Sequence, residues 1–373
     1  MEINKSGAKM SAIIGIGQLI NRLKTESGKD YLALNRGIND VVNIDIQNII
    51  TKIDFNSDDL QHYNSANGRF DLKQAINKVY FKDFSKMDRL FVTAGGMNAL
   101  SLIMSILQVK KIYTPKYFWG AYINIMTING IAHDTYENFD FKQPQLSEMK
   151  GQAIIICDPS NPLGNKLVDE DLLNAIRILK TYDVTVIWDS PYRRLFFEPE
   201  TDDLYVKLLE FDNVIISESF SKSVGLSGQR IGFVHSLNED FNREFFLRLL
   251  YNTNGVNAFA QILVEKILTT PEGKVAMKEF QQKTVSAINK NVQFLSDNNL
   301  LPFELYKNKL PVGIFAVINK THDNLLKNRI GSVPFDFFTL DKAKAKNYSR
   351  ICVSVDSERF ISFFKTMLAS END

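Results

Sequence analysis

Between about residues 72 and 217, short apolar runs of strand character alternate with helical stretches, and this limits the chain to few architectures. Residues 89–93 read as a strand, followed by Gly95-Gly96 and a helix carrying Leu100, Ile103, Met104 and Leu107. Residues 111–114 form a strand ending at Pro115, and 153–157 one ending at Asp158-Pro159-Ser160-Asn161-Pro162. A helix over 171–182 keeps Leu172, Ala175, Ile176 and Leu179 on one face. Strands over 184–188 and 213–217 run into Asp189 and, just beyond, Ser219. Such alternation predicts an α/β fold around a largely parallel sheet. Ligands of open α/β sheets bind outside the carboxyl ends of the strands. Gly95, Asn161, Asp189, Tyr192 and Lys222 all follow predicted strands, so residues nearly 130 positions apart are expected to share one pocket.

Beyond about residue 240 the pattern changes to helices (241–250, 258–268, 278–299), a short β-rich tail (313–317, 349–355) and a closing helix at 359–368. Residues 1–30 read as an amphipathic helical arm. The expected organisation is a large domain over 38–255 and a smaller α+β domain from 1–37 and 256–373. With 44 Lys plus Arg against 43 Asp plus Glu, charge offers no argument for nucleic acid or a membrane surface. Two cysteines and four scattered histidines argue against a disulfide framework or a metal site. The apolar patch at 12–20 is short and lacks the marks of a signal peptide, and no stretch approaches the roughly 20 apolar residues of a membrane span. A cytoplasmic protein is the expectation.

The most informative loop is 219–232, Ser-Phe-Ser-Lys-Ser-Val-Gly-Leu-Ser-Gly-Gln-Arg-Ile-Gly, set between two apolar runs. Burial there disfavours the charged form of Lys222 and makes its amine available as a nucleophile. Arg230 keeps its charge and can hold an anion. An amine for a carbonyl beside a cation for a phosphate points to pyridoxal phosphate (PLP). That cofactor needs a carboxylate at its pyridine nitrogen, donors for its ring oxygen, and a helix N-terminus with hydroxyls and an arginine for its phosphate. An amino-acid substrate needs a second arginine.

Together these residues resemble the class I/II aminotransferase family of fold-type I PLP enzymes, over about residues 32–355. Ser219-Phe-Ser-Lys222 with Gly225-Leu-Ser-Gly228-Gln-Arg230 resembles the family's lysine signature. The resemblance implies that Lys222 bonds the cofactor's aldehyde and shuttles the α-proton, while Ser219 and Arg230 bind phosphate. Asn161-Pro162-Leu163-Gly164 is similar to the family's Asn-Pro-Thr-Gly turn, and Asp189-Ser190-Pro191-Tyr192 to its Asp-x-x-Tyr element. Those likenesses place Asp189 on the pyridine nitrogen and Asn161 and Tyr192 on the ring oxygen. Gly95, Gly96 and Met97 stand where the family has its phosphate loop, although Gly95 and Met97 replace hydroxyl-bearing residues. Tyr117 matches the aromatic residue that stacks on the ring, with Phe118 and Trp119 as rivals. Tyr63, followed by Gly68 and Leu72, resembles the tyrosine that reaches the partner subunit's phosphate, which implies a homodimer. Arg350 matches the arginine that clamps the substrate α-carboxylate. Gly37 and Arg36 fall at a substrate-facing position, and Arg36 suggests acidic or distally polar substrates.

The activity implied is transfer of an amino group between an L-amino acid and a 2-oxo acid. β-Lyases, decarboxylases and cyclopropane-forming synthases share the same residues, and a sensor or scaffold without turnover shares the fold. A serine acyl-enzyme reading of Ser219-x-x-Lys222 with Ser296-Asp297-Asn298 fails for want of a following Lys-Thr-Gly.

Overall fold

The computed structural model describes residues 1–139, 141 and 143–371. Its strands are β1 (Leu32–Ala33), β2 (Leu90–Thr93), β3 (Lys111–Pro115), β4 (Ala132–Tyr136), β5 (Ala153–Cys157), β6 (Thr185–Asp189), β7 (Val214–Ser219), β8 (Gly232–Ser236), β9 (Phe315–Ile318), β10 (Ile330–Gly331), β11 (Val333–Pro334) and β12 (Ser349–Cys352). Seven of them form one sheet in the order β2-β8-β7-β6-β5-β3-β4. Six run the same way, and β8 is antiparallel to both its neighbours. The fold is thus α/β with a mostly parallel central sheet.

The central strands are apolar throughout because both faces are covered. Every residue of β5 and β7 is buried. Side chains alternate faces, so Ile154 and Ile156 join one core with Trp188 and Ile216. Ile155 joins the other, with Ile187, Ile215 and Phe245.

Three departures from the sequence pattern have local causes. Strand β4 and the helix before it, Ala121–Ile128, were not legible, because β4 is an edge strand of half-exposed, mostly polar residues. Its Asp134 is held across the ladder by Lys111 at 2.9 Å, a contact that apolar periodicity does not record. The long helix begins at Pro271, seven residues before the predicted 278, and runs to Asp297. Thr270 caps it by accepting the Gly273 amide at 3.1 Å, with Pro271 in the first turn. The N-terminal arm is helical over Ala12–Ser27, not throughout 1–30, and stops at Gly28 in the left-handed region (φ +64°).

A second, antiparallel sheet of order β11-β12-β9 carries the tail, with the helix Ser357–Ser370 closing the chain. The N-terminal segment touches a helix that follows β3 of the central sheet and also packs on the second sheet. The Lys9 amide donates to Asn124 Oδ1 at 2.8 Å on the helix Ala121–Ile128, and Ile13 and Ile16 pack with Val333, Phe335 and Phe338. Among the described residues no helix is long and apolar enough to cross a membrane.

Candidate active site

The parallel strands β2, β3, β5, β6 and β7 end along one edge of the sheet. Because β8 runs the other way, Arg230, two residues before its start, falls at that same edge. Gly232 is in register with both Thr93 and Ser219, which draws the ends of β2 and β7 to the approach of Arg230. Residues 93–96, 219 and 230 therefore surround one cup.

The cup is built on close approach. Gly95 has φ +81°, and a Cβ there would stand 2.8 Å from Arg230 Nη2. A Cβ on Gly96 would meet the Ser219 side chain at 3.4 Å. The helix Gly96–Ile106 begins here with its free amides, and Met97 lies exposed on its first turn. Arg230, itself at φ +53°, donates through Nη1 to the Ser227 carbonyl at 3.0 Å. The Ser219 hydroxyl accepts the Ser221 amide at 3.3 Å and caps the short helix Phe220–Ser223. Lys222 sits on that helix, not in a loop as its glycine-rich surroundings suggested. A space rimmed by a guanidinium, a hydroxyl and a helix N-terminus, and closed by any Cβ at Gly95, fits a phosphate group.

Beside the cup, the half-buried Lys222 places its amine on the Gly37 carbonyl. Burial, with Arg230 and Arg350 nearby, holds its pKa below the ordinary lysine range. Asp189, at the end of β6, is buried with Tyr122 donating to Oδ2 at 2.5 Å. Burial pushes its carboxyl up to about 7, against the lowering effect of the Tyr122 hydroxyl. A buried carboxylate with a neutral partner is matched to a cation, as a protonated pyridine nitrogen is.

Asn161 connects the two halves of the site. Its Nδ2 donates to the Tyr192 hydroxyl at 3.3 Å, and its Oδ1 lies 3.5 Å from Arg350 Nη1. Arg350, in the middle of the second sheet, is 1 % exposed, yet its partners are neutral oxygens. Nη2 donates to the Asn35 carbonyl, and Nε is buried without a partner. The guanidinium lies 4.2 Å from the Phe315 ring and 4.8 Å from that of Phe338. Burial lowers its pKa to about 10. A desolvated guanidinium with an orphaned N–H is a ready site for a carboxylate. Gly37 admits the Phe315 ring, which a Cβ would meet at 2.3 Å.

Three predicted residues stand apart. Tyr117 packs on Phe335, ring centres 4.9 Å apart, in the apolar cluster with Leu163 and Ile13. Trp119, one of its rivals, meets Tyr122, the hydrogen-bond partner of Asp189, edge-on at 5.4 Å. Arg36 is exposed, its guanidinium against Gly17 of the N-terminal helix, where a Cβ would be 3.5 Å from Nη2. Tyr63 is 92 % exposed and meets none of the site residues within its own chain. Sequence reading overlooked Tyr122, three positions past Trp119 on an unpredicted helix, and Cys352, whose Sγ faces the Ile38 carbonyl at 3.4 Å. It also overlooked the buried acid Glu218.

A family model described as aminotransferase class I and II matches residues 29–361. The chain belongs to this family. Class I and II aminotransferases use PLP, and the fold is their fold type I. A histidinol-phosphate aminotransferase of Caldicellulosiruptor saccharolyticus is 28 % identical over 220 residues, 58 % of each chain. An aspartate aminotransferase of Thermotoga maritima is 29 % identical over 190 residues, 47 % of this chain and 50 % of the relative. The matched part thus spans between half and three fifths of the length of these relatives. The structure of the aspartate aminotransferase from Thermus thermophilus with maleate superposes with a TM-score of 0.82 at 16 % identity, covering 98 % of this chain and all of that one.

Proposed function

We propose that the protein is a PLP-dependent aminotransferase that moves an amino group between an L-amino acid and a 2-oxo acid. The observation that carries this reading is Asn161, which touches Tyr192 on the cofactor side and Arg350 on the substrate side. PLP, when bound, supplies an electron sink for bond breaking at the substrate's α-carbon. Ser219, Arg230 and the amides following Gly95 and Gly96 hold its phosphate, and Met97 borders that loop. Asp189 balances the ring nitrogen's charge, with Tyr122 fixing the carboxylate's direction. Asn161 and Tyr192 donate to the ring oxygen. Tyr117, with Phe118 and Trp119 as its rivals, offers an aromatic face to the ring. Arg350 binds the substrate carboxylate beside Gly37. Lys222 Nζ takes the proton from the substrate α-carbon and returns it; a pKa lowered by burial keeps enough of the amine neutral for this work.

The same reading makes the protein a homodimer in which Tyr63 reaches the partner's phosphate cup, which accounts for so exposed a tyrosine. It also divides the chain into a cofactor-binding unit over 38–255 and a smaller unit from 1–37 and 256–373. A preference for acidic or polar substrates rests on Arg36 alone, and the relatives' names divide between aspartate and histidinol phosphate. Arg36→Ala should lower the aspartate-to-alanine preference; an unchanged ratio removes the idea. The function itself is tested by purifying the protein with PLP. A visible absorption band that Lys222→Ala abolishes, and pyridoxamine phosphate formed in single turnovers with an amino acid, are expected. Released ammonia and pyruvate would refute transamination.

A further inference from the structure

We propose that Tyr205 is a positioning residue for this site, its hydroxyl bridging the strand ends that carry Asp189 and Lys222 where their backbones part. The inference rests on the aminotransferase reading above.

Strands β6 and β7 are paired through Asp189 and Ser217, and the Ser190 amide still reaches the Ser217 carbonyl at 2.9 Å. Beyond that point β6 turns away into Pro191 and Tyr192. Strand β7 continues for two residues paired with β8 alone, Glu218 opposite Phe233 and Ser219 opposite Gly232. Of the residues that must hold a cofactor from two sides, Asp189 is the last of β6 still paired with β7, whereas Tyr192 on one side and Ser219 and Lys222 on the other lie beyond the point where the strands part. Such a split makes a crevice, and it also removes the ladder that would fix its width.

Side chains on the opposite face of the sheet close the gap. The Tyr205 hydroxyl donates to Glu218 Oε2 and lies 3.2 Å from Ser190 Oγ, so one oxygen touches the residue after Asp189 and the residue before Ser219. Glu218 Oε1 accepts the Ser219 amide at 3.0 Å, carrying the link into the cup. The ring is held on three sides, by Trp188 at 4.9 Å, by Tyr80 at 5.0 Å edge-on, and by the Arg194 guanidinium at 4.6 Å. Arg194 is in turn fixed by Asp202 at 3.1 Å. Tyr205 is fully buried, so its hydroxyl is nearly immobile. Packing alone does not account for the arrangement. A buried carboxyl whose hydrogen-bond partners are a hydroxyl and an amide is less stable than an apolar filling of the same volume. Its physical return is geometric: a rigid donor sets the distance between two groups that act on one molecule.

Tyr205→Phe removes a single oxygen and keeps the ring. With PLP and an amino acid in saturating single-turnover and steady-state assays, we expect kcat to fall about ten- to a hundredfold, as small misplacements of reacting groups do. KM for the amino acid, set by Arg350, should stay within about twofold, and the affinity of cofactor-free protein for PLP should fall as well. An unchanged kcat and PLP affinity, with only a lower melting temperature, overturns the proposal. Should Tyr205→Phe fail to fold, Ser190→Ala removes the far end of the bridge and is read the same way: a reduced kcat at unchanged KM supports the proposal, and wild-type kcat overturns it. If wild-type protein itself shows no cofactor band or amino transfer, the aminotransferase reading fails. If wild type turns over and Tyr205→Phe matches it, Tyr205 alone is wrong.

Discussion

Gly95→Ala measures how tightly the phosphate cup is built. The backbone at Gly95 (φ +81°, ψ 172°) lies in a region reserved for glycine, so an alanine there costs about 1–3 kcal/mol before any contact is counted. Its Cβ would stand 2.8 Å from Arg230 Nη2 and 3.2 Å from Cζ. Those atoms end a flexible side chain, so Arg230 yields, adding about 0.5–1.5 kcal/mol for an off-rotamer position. Stability should fall by about 1.5–4.5 kcal/mol, read from denaturant unfolding of cofactor-free protein. The displaced guanidinium should lose its charge-assisted contact, about 1.5–3 kcal/mol, which weakens PLP binding about 10- to 100-fold in fluorescence titration. A cycle with Arg230→Ala separates the parts, because only the backbone cost survives once the guanidinium is gone. Gly228→Ala, with nothing within 4 Å of the new methyl, is the control and should leave binding unchanged. If Gly95→Ala bound PLP as tightly as wild type, Arg230 would not line the phosphate site and the cup would be misassigned.

Two further outcomes follow from charge and geometry. Asp189 has a folded pKa raised from 3.8 to about 7, so the stability it contributes is fully present below about pH 4 and lost as pH rises through 7. Glu218, raised from 4.5 to about 8 chiefly by burial, acts in the same sense, whereas the depressed Lys222 acts in the opposite one. Cofactor-free protein should therefore lose more stability than Asp189→Asn between pH 5 and 8, by an amount on the order of 3 kcal/mol at most; parallel melting curves against pH would contradict this. Arg350→Lys keeps the charge but not the planar fork, so KM for the amino acid should rise about tenfold or more with a smaller change in kcat; an unaltered KM would remove Arg350 from the substrate site.

Much of this was legible in the chain itself. The central strands are buried on both faces, so their sequences are continuous apolar runs, and Asp189, Asn161 and Lys222 stand out at their ends because polar residues there interrupt the pattern. Local chemistry likewise exposes the Gly95-Gly96 turn, but not the short helix that Ser219 caps under Lys222. What periodicity could not reveal was direction and distance. Nothing in residues 231–234 says that β8 runs backwards, yet only that reversal brings Arg230 to the edge where Ser219 and Gly95 end. Tyr117 and Trp119 are equally aromatic in sequence, and the fold sends one to Phe335 and the other to Tyr122. Tyr205, Glu218 and Tyr122 carry no motif, since a buried hydroxyl or carboxyl is defined by what packs on it. The class of fold and the cofactor's chemical requirements could be read from the chain alone, because these depend on residue type and order along single strands. The tertiary structure decided which side chains meet, because meeting depends on how strands that are distant in the chain pair, reverse and part.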